Sequence, residues 1–153
     1  MSDRVFDELL HGKGAHADPV ACIDDVPAEV AGKTIDGFPH SIWQLVSHMN
    51  YWMDYDIKRI ADEAPPYPEH AAPSWPAEAA PRSEKQWSDA KATFSASLHK
   101  LSSLAQSPPD VLAREVKPAH PGHAKMASSL RSVLWQTLVH NSYHTGQIAV
   151  IRR

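Results

Sequence analysis

Two histidines near the end of the sequence have the spacing of metal ligands on a helix. His140 and His144 are four residues apart, so a helix places both imidazoles on one face, about one turn apart. Two imidazoles in this arrangement can bind one metal ion. The motif is not that of a metalloprotease, because Asn141 stands where the catalytic glutamate of H-E-x-x-H would be. With 10 histidines in 153 residues, chance alone gives roughly 0.6 such pairs, so other residues must support a metal site.

His48 is the third candidate ligand. It lies at the edge of the apolar face of a predicted helix, in line with Leu45 and Trp52. Three inward histidines on two helices would form a three-histidine site with its fourth position open, which is typical of catalytic rather than structural zinc. The alternative is that these imidazoles only hydrogen-bond within the core, since buried ring nitrogens need partners.

Three long stretches have the apolar periodicity of amphipathic helices, at residues 41–63, 83–104 and 128–153. The first two open with Ser-x-x-Gln, at Ser41 and Ser83, which is the pattern of a capping box. A weaker helical region covers residues 2–30, with breaks at residues 12–14 and near Pro19. Four helical regions predict an all-α fold, in the form of a four-helix bundle.

Two long connections are rich in proline, and the first of them cannot be regular helix. Residues 64–82 contain six prolines and residues 107–125 contain four. Such lengths favour a bundle with long crossover connections over a simple up-and-down bundle. Trp75 lies in the first connection, where it is expected either to cover a pocket as part of a lid or to anchor the loop. The other tryptophans, at positions 43, 52, 87 and 135, are expected to belong mainly to the core.

Composition excludes several classes of function. The net charge is −3, and acidic and basic residues are interspersed. The sequence has no basic stripe of the kind that would indicate a nucleic-acid partner. The sequence contains no run of 18 apolar residues, which a membrane-spanning helix would need. The charged amino terminus does not resemble a signal peptide. The single cysteine, Cys22, cannot form an internal disulfide. We therefore expect one domain over residues 1–153, in the cytoplasm, with neither nucleic acid nor membrane as a partner.

Two segments resemble the DinB/YfiT-like superfamily of small bacterial metalloproteins. The first is P-H-S-I-W-Q-L-V-S-H at residues 39–48, and the second is H-N-S-Y-H-T-G-Q-I at residues 140–148. The second segment is the more specific, because H-x-x-x-H-x-G-Q-I is the signature of that superfamily. The order of the remaining segments also agrees, so the resemblance covers nearly the whole chain.

The resemblance implies a four-helix bundle with a long crossover and a divalent metal, commonly zinc or nickel, held by three histidines. The matching positions are His48, His140 and His144. Relatives often form homodimers, and those characterised include S-transferases that use low-molecular-weight thiols such as bacillithiol, and a mycothiol-dependent isomerase. His16 matches a histidine or aromatic position found in part of the superfamily and is a candidate for the cleft.

Two further residues, Tyr143 and Gln147, fall near the histidine face of the last helix. They are candidates for orienting the ligands or the substrate through hydrogen bonds, and ordinary helix packing is the alternative.

Three hypotheses for the function follow. The first is a metal-dependent enzyme of the thiol S-transferase type, which would join a low-molecular-weight thiol to a small-molecule electrophile. The second is a non-catalytic metal- or ligand-binding bundle with a role in stress response. The third is a metal-free helical scaffold, in which the inward histidines hydrogen-bond one another. The sequence names no general base for any of these.

Overall fold

The computed structural model describes residues 4–68, 70–117 and 128–153, and these residues are mostly helical. The predicted all-α fold is therefore confirmed. The helices of the described residues are α1 (Arg4–Leu10), α2 (Ala21–Asp24), α3 (Ala28–Ala31), α4 (Ile42–Ile60), α5 (Glu84–Ala105), α6 (Pro109–Leu112) and α7 (Leu130–Ile151). A short antiparallel pair, β1 (Glu115–Val116) and β2 (Ser128–Ser129), precedes α7.

Helix α4 begins where the sequence predicts it. The Ser41 hydroxyl accepts from the Gln44 backbone N–H, and the Gln44 side-chain oxygen accepts from the Ser41 N–H, which completes a capping box. The helix ends at Ile60, three residues before the predicted end. Asp62 and Ala64 both have positive φ angles, which a right-handed helix cannot contain.

The other two long helices differ slightly from the prediction at their starts. Ser83 caps α5, but the Gln86 side-chain oxygen accepts from the Arg82 N–H rather than from Ser83, so that capping box is incomplete. Helix α7 begins at Leu130 instead of residue 128, because Ser129 caps it and residues 128–129 pair with β1. The sequence between the two strands contains no Asn-Gly or Asp-Gly pair, the strongest short-range signals of a hairpin.

The predicted amino-terminal helical region forms three short helices separated by turns. Its breaks lie at Gly12 and near Pro19, as predicted. Gly12 has a φ of +75°, and an added Cβ there would lie 2.4 Å from the His16 carbonyl oxygen, so this turn requires glycine. Helix α1 packs against α5 and α7, and α4 packs against α5 and α7. Because the amino-terminal region is not one long helix, the four-helix bundle stays a prediction.

One continuous core fills the space between α4, α5 and α7. Its largest fully buried side chains include Trp87 and Phe94 of α5 and Leu134 of α7. Trp135 departs from the expectation that it belongs to the core, because half of its surface is exposed. None of the described helices is long and apolar enough to cross a membrane.

The connection between α4 and α5 lies along the first half of α4. Its described residues contain one 3₁₀ turn, at Ala72–Ser74. The Ser41 hydroxyl donates to the Ala79 carbonyl at 2.5 Å, and the Gln44 side-chain amide donates to the Pro76 carbonyl at 3.0 Å. These two bonds fix the loop beside α4, close to His48.

Candidate metal centre

Helices α4 and α7 run antiparallel and bring three imidazoles together. His48 lies on α4, and His140 and His144 lie one turn apart on α7. The Nε2 atom of His140 is 3.0 Å from Nε2 of His48 and 3.1 Å from Nε2 of His144. His48 and His144 are buried, whereas His140 is half-buried. The three histidines singled out in the sequence thus form one cluster that could hold a metal ion.

The hydroxyl group of Ser74 determines which nitrogen of His48 carries the proton. Ser74 donates to the Ala71 carbonyl oxygen at 2.5 Å, and its oxygen lies 2.7 Å from Nδ1 of His48. Because the single hydroxyl proton points to Ala71, Nδ1 of His48 must be the donor toward Ser74. A neutral imidazole carries one proton, so Nε2 of His48 has a free lone pair.

Gln147 has the same effect on His144. Its side-chain oxygen lies 2.7 Å from Nδ1 of His144 and can only accept, so Nδ1 carries the proton and Nε2 has a free lone pair. His140 Nε2 therefore faces two lone pairs, and a proton on it would point at only one of them. Among the described side chains, at least one Nε2 lone pair of the cluster is left without a donor.

The environment keeps the three imidazoles neutral. Burial, followed by the neighbouring His140 and His144 rings, lowers the pKa of His48 to about 3. Burial and the His144 ring lower the pKa of His140 to about 4. Burial also lowers the pKa of His144, against an opposing hydrogen bond from Gln147. Neutral imidazole is the form that binds metals, so the cluster is in its ligand form near neutral pH.

Trp75 packs its ring face to face on His48. The two ring centroids are 3.7 Å apart with planes 10° from parallel, and the opposite face of Trp75 stacks on His40 at 3.8 Å. The same ring meets His144 edge-on, at 5.9 Å. Trp75 therefore anchors the proline-rich loop against the histidine cluster. That this loop also opens and closes as a lid stays a prediction.

The donor atoms fit a divalent metal ion. Imidazole nitrogens bind zinc at about 2.0–2.1 Å, and a tetrahedral ion holds two such nitrogens about 3.3 Å apart. The distances of 3.0 and 3.1 Å in the cluster are close to that value. A cation between the three lone pairs would also supply the partner that the described side chains do not.

Of the two candidate orienting residues, Gln147 hydrogen-bonds His144 directly, whereas Tyr143 hydrogen-bonds Gln147. Tyr143 is exposed, with its hydroxyl 3.4 Å from the Gln147 amide nitrogen and its ring 5.0 Å from the His144 ring. The predicted role of Gln147 in orienting His144 therefore has a hydrogen bond to support it. Tyr143 lies at the rim of the site.

His16, the cleft candidate, lies away from the histidine cluster. Its Nε2 atom is 2.9 Å from the hydroxyl oxygen of Ser142. Ser142 is two residues from both His140 and His144, so it points to the opposite side of α7. His16 therefore connects the amino-terminal region to the back of this helix and does not join the cluster.

Sequence reasoning missed Ser74 as a partner of the cluster. Ser74 is 3% exposed and belongs to an irregular loop, where no periodicity indicates which side chains point inward. The nearest signal was Trp75 itself, a large aromatic residue inside a proline-rich segment.

One of three comparisons with known proteins finds a match. The model of the DinB family matches residues 1–153. A search of the curated proteins finds no match, and neither does a search of the solved structures. Since the family model covers the whole sequence, the chain belongs to the DinB family.

Proposed function

We propose that this protein binds one divalent metal ion through the Nε2 atoms of His48, His140 and His144 and acts as a metal-dependent enzyme of the thiol S-transferase type. One observation carries the metal-binding part: Ser74 and Gln147 hold the Nδ1 protons, so lone pairs converge at the centre of the cluster. With these protons in place, His140 can donate to only one of the other two imidazoles, so hydrogen bonds between the rings do not satisfy the whole cluster.

The surrounding residues prepare the ligands. Ser74 and Gln147 orient two of the rings and make their Nε2 atoms better donors, as the outer partners of metal-binding histidines do. Trp75 covers one face of His48 and keeps water from it. Three neutral ligands leave the charge of a divalent ion undiminished, and a bound ion supplies Lewis acidity that lowers the pKa of a thiol or water.

The proposed reaction joins a low-molecular-weight thiol to a small-molecule electrophile. The thiol sulfur forms a bond to an electrophilic carbon, the bond to the leaving group breaks with its electron pair, and the thiol proton passes to solvent. We propose zinc or nickel as the ion, since three imidazoles suit either. A homodimer and a cytoplasmic location stay predictions.

Metal content is the first measurement. Untagged protein purified without added metal should contain about one divalent ion per chain by elemental analysis. The double variant His140→Ala/His144→Ala should contain almost none. His99→Ala is the matched control, because His99 is an exposed histidine on α5, and it should keep the metal. Loss of metal only in the double variant identifies the ligands.

Turnover is the second measurement. The metal-loaded protein should catalyse thiol-dependent consumption of electrophiles such as epoxides and aryl halides, and a chelator should abolish it. Full metal content without turnover across thiols and electrophiles would favour the non-catalytic metal-binding bundle. No metal in the parent, even after reconstitution with folding intact, would favour the metal-free scaffold.

A further inference from the structure

An open groove lies along the exposed side of α7 and includes His140 of the histidine cluster. It has a volume of about 560 Å³ and is lined by Trp135, Gln136, Val139, His140 and Tyr143. His140 is also the least buried of the three clustered histidines. The groove and the cluster therefore share one side chain, at the point where the cluster is most accessible.

Apolar side chains dominate this groove although they face solvent. Trp135, Val139 and Tyr143 are spaced four residues apart, so they form one stripe along α7. Their exposed fractions are 50%, 49% and 64%. None of the described residues that line the groove is an aspartate, glutamate, lysine or arginine. A contiguous apolar stripe of this kind on a surface commonly marks a binding site.

The Trp135 end of the groove is held in place by a contact with α1. The Trp135 ring meets Phe6 of α1 edge to face, with centroids 5.7 Å apart. Such a contact restricts the ring although half of its surface is exposed. The groove is therefore pre-formed, as small-molecule sites usually are.

We propose that this groove binds the uncharged, apolar portion of a thiol whose sulfur reaches the histidine cluster. The inference rests on the function proposed above and adds the chemical class of the substrate. Three observations favour a small molecule: His140 of the cluster lines the groove, the groove volume lies within the usual range of about 300–1,000 Å³, and the lining carries no charge.

A series of linear thiols tests this proposal. The protein is loaded with Co²⁺, and ethanethiol, propanethiol, butanethiol and pentanethiol are titrated in turn, with binding followed by the sulfur-to-cobalt charge-transfer absorbance. A fully buried methylene group raises affinity about fourfold. Because the groove is open on one side, we expect about twofold per methylene, or about eightfold from ethanethiol to pentanethiol.

Val139→Gln tests whether the alkyl chain lies in the groove, since Val139 lies in the middle of the stripe. The variant should lose most of the dependence on chain length, measured as the ratio of its affinities for pentanethiol and ethanethiol. Val150→Gln is the matched control, because Val150 is an equally exposed valine of α7, 54% against 49%, that does not line the groove. It should keep the eightfold difference. Val139→Ala serves as a second variant if Val139→Gln does not fold.

The possible outcomes separate this inference from the function on which it rests. If all four thiols gave an absorbance band and bound with equal affinity, the proposal that the groove binds the alkyl chain would be wrong, and the proposed metal function would stand. An unchanged chain-length dependence in both Val139 variants would also overturn that proposal, because the alkyl chain would then lie elsewhere. A dimer that Val139→Gln dissociates, seen by sedimentation velocity with no chain-length effect, would assign the groove to a second copy instead. No band with any thiol would overturn the proposed function itself.

Discussion

His16 packs against α7 and His144 belongs to it, but their ring nitrogens face different kinds of atoms. The Nδ1 atom of His16 is 2.8 Å from the Ala17 carbonyl oxygen, and its Nε2 atom is 3.0 Å from that of Leu9. Each nitrogen of His16 thus faces an oxygen acceptor of the chain. In His144, Nδ1 faces the Gln147 oxygen, whereas Nε2 faces another imidazole nitrogen.

This difference separates His16 from the clustered histidines better than burial does. His16 and His140 are both half-buried, so exposure does not distinguish them. His16 joins the end of α1 to its own loop and to α7, and protein atoms surround both of its nitrogens. The cluster places nitrogen lone pairs opposite one another, an arrangement that a cation stabilises.

The largest expected effect is on the pH dependence of stability in the metal-free protein. The pKa values of His48 and His140 are lowered to about 3 and 4, whereas an unfolded histidine titrates near 6.5. Between these values the unfolded chain binds more protons than the folded one, so stability falls as the pH falls below 6.5. From pH 7 to pH 5, we expect a loss of roughly 2 kcal/mol for each of the two residues.

Urea denaturation of chelator-treated protein at pH 7 and pH 5 measures this loss, and His48→Gln should reduce it by about half. His99→Gln, on the exposed face of α5, should leave it unchanged. Burial raises the pKa of Asp56, which acts in the opposite direction, so the comparison between variants is more informative than the total. If His48→Gln lost as much stability between pH 7 and pH 5 as the parent, the buried His48 ring would not contribute to the pH dependence.

The long helices and the pairing of His140 with His144 were predictable because they depend on local rules. The capping box at Ser41 and the apolar periodicity define α4 without reference to the rest of the chain. The four-residue spacing of His140 and His144 places them one turn apart on any helix. His48 joined the prediction through its place near the apolar face and through the resemblance to the family.

The partners of the ligands were not predictable in the same way. Ser74 and Trp75 reach His48 through a loop whose course depends on contacts such as that between Gln44 and Pro76, more than thirty residues apart. Strands β1 and β2 have only two residues each, too few for a pattern. His16 carried the same residue type as the ligands, and only the fold shows which side of α7 it meets.

The next expected effect is that of Ser74→Ala on metal affinity. Without the serine oxygen, Nδ1 of His48 loses its acceptor, and its proton is no longer held on that nitrogen. Removing such a partner of a metal-binding histidine typically weakens metal binding by 10–100-fold, and we expect about tenfold here. Competition with a chromophoric chelator measures the dissociation constant.

Gln44→Ala is the control for this variant. It removes the bond from Gln44 to the Pro76 carbonyl and so loosens the same loop, but it leaves the partner of His48 in place. Its metal affinity should stay within about threefold of the parent. Equal losses in the two variants would show that Ser74 acts only by anchoring the loop.

The smallest expected effect is that of His16→Ala, which tests the other side of the comparison. The variant loses the contacts with Leu9, Ala17 and Ser142, and a hydrogen bond contributes about 1 kcal/mol to stability. In a chain of this length, each kcal/mol of lost stability lowers the melting temperature by roughly 2–4 °C. Metal content should be unchanged, because His16 lies behind α7 and contributes no atom to the cluster. If His16→Ala lost its metal while remaining folded at the same temperature, His16 would belong to the metal site, and the nature of the facing atoms would not distinguish the two kinds of histidine.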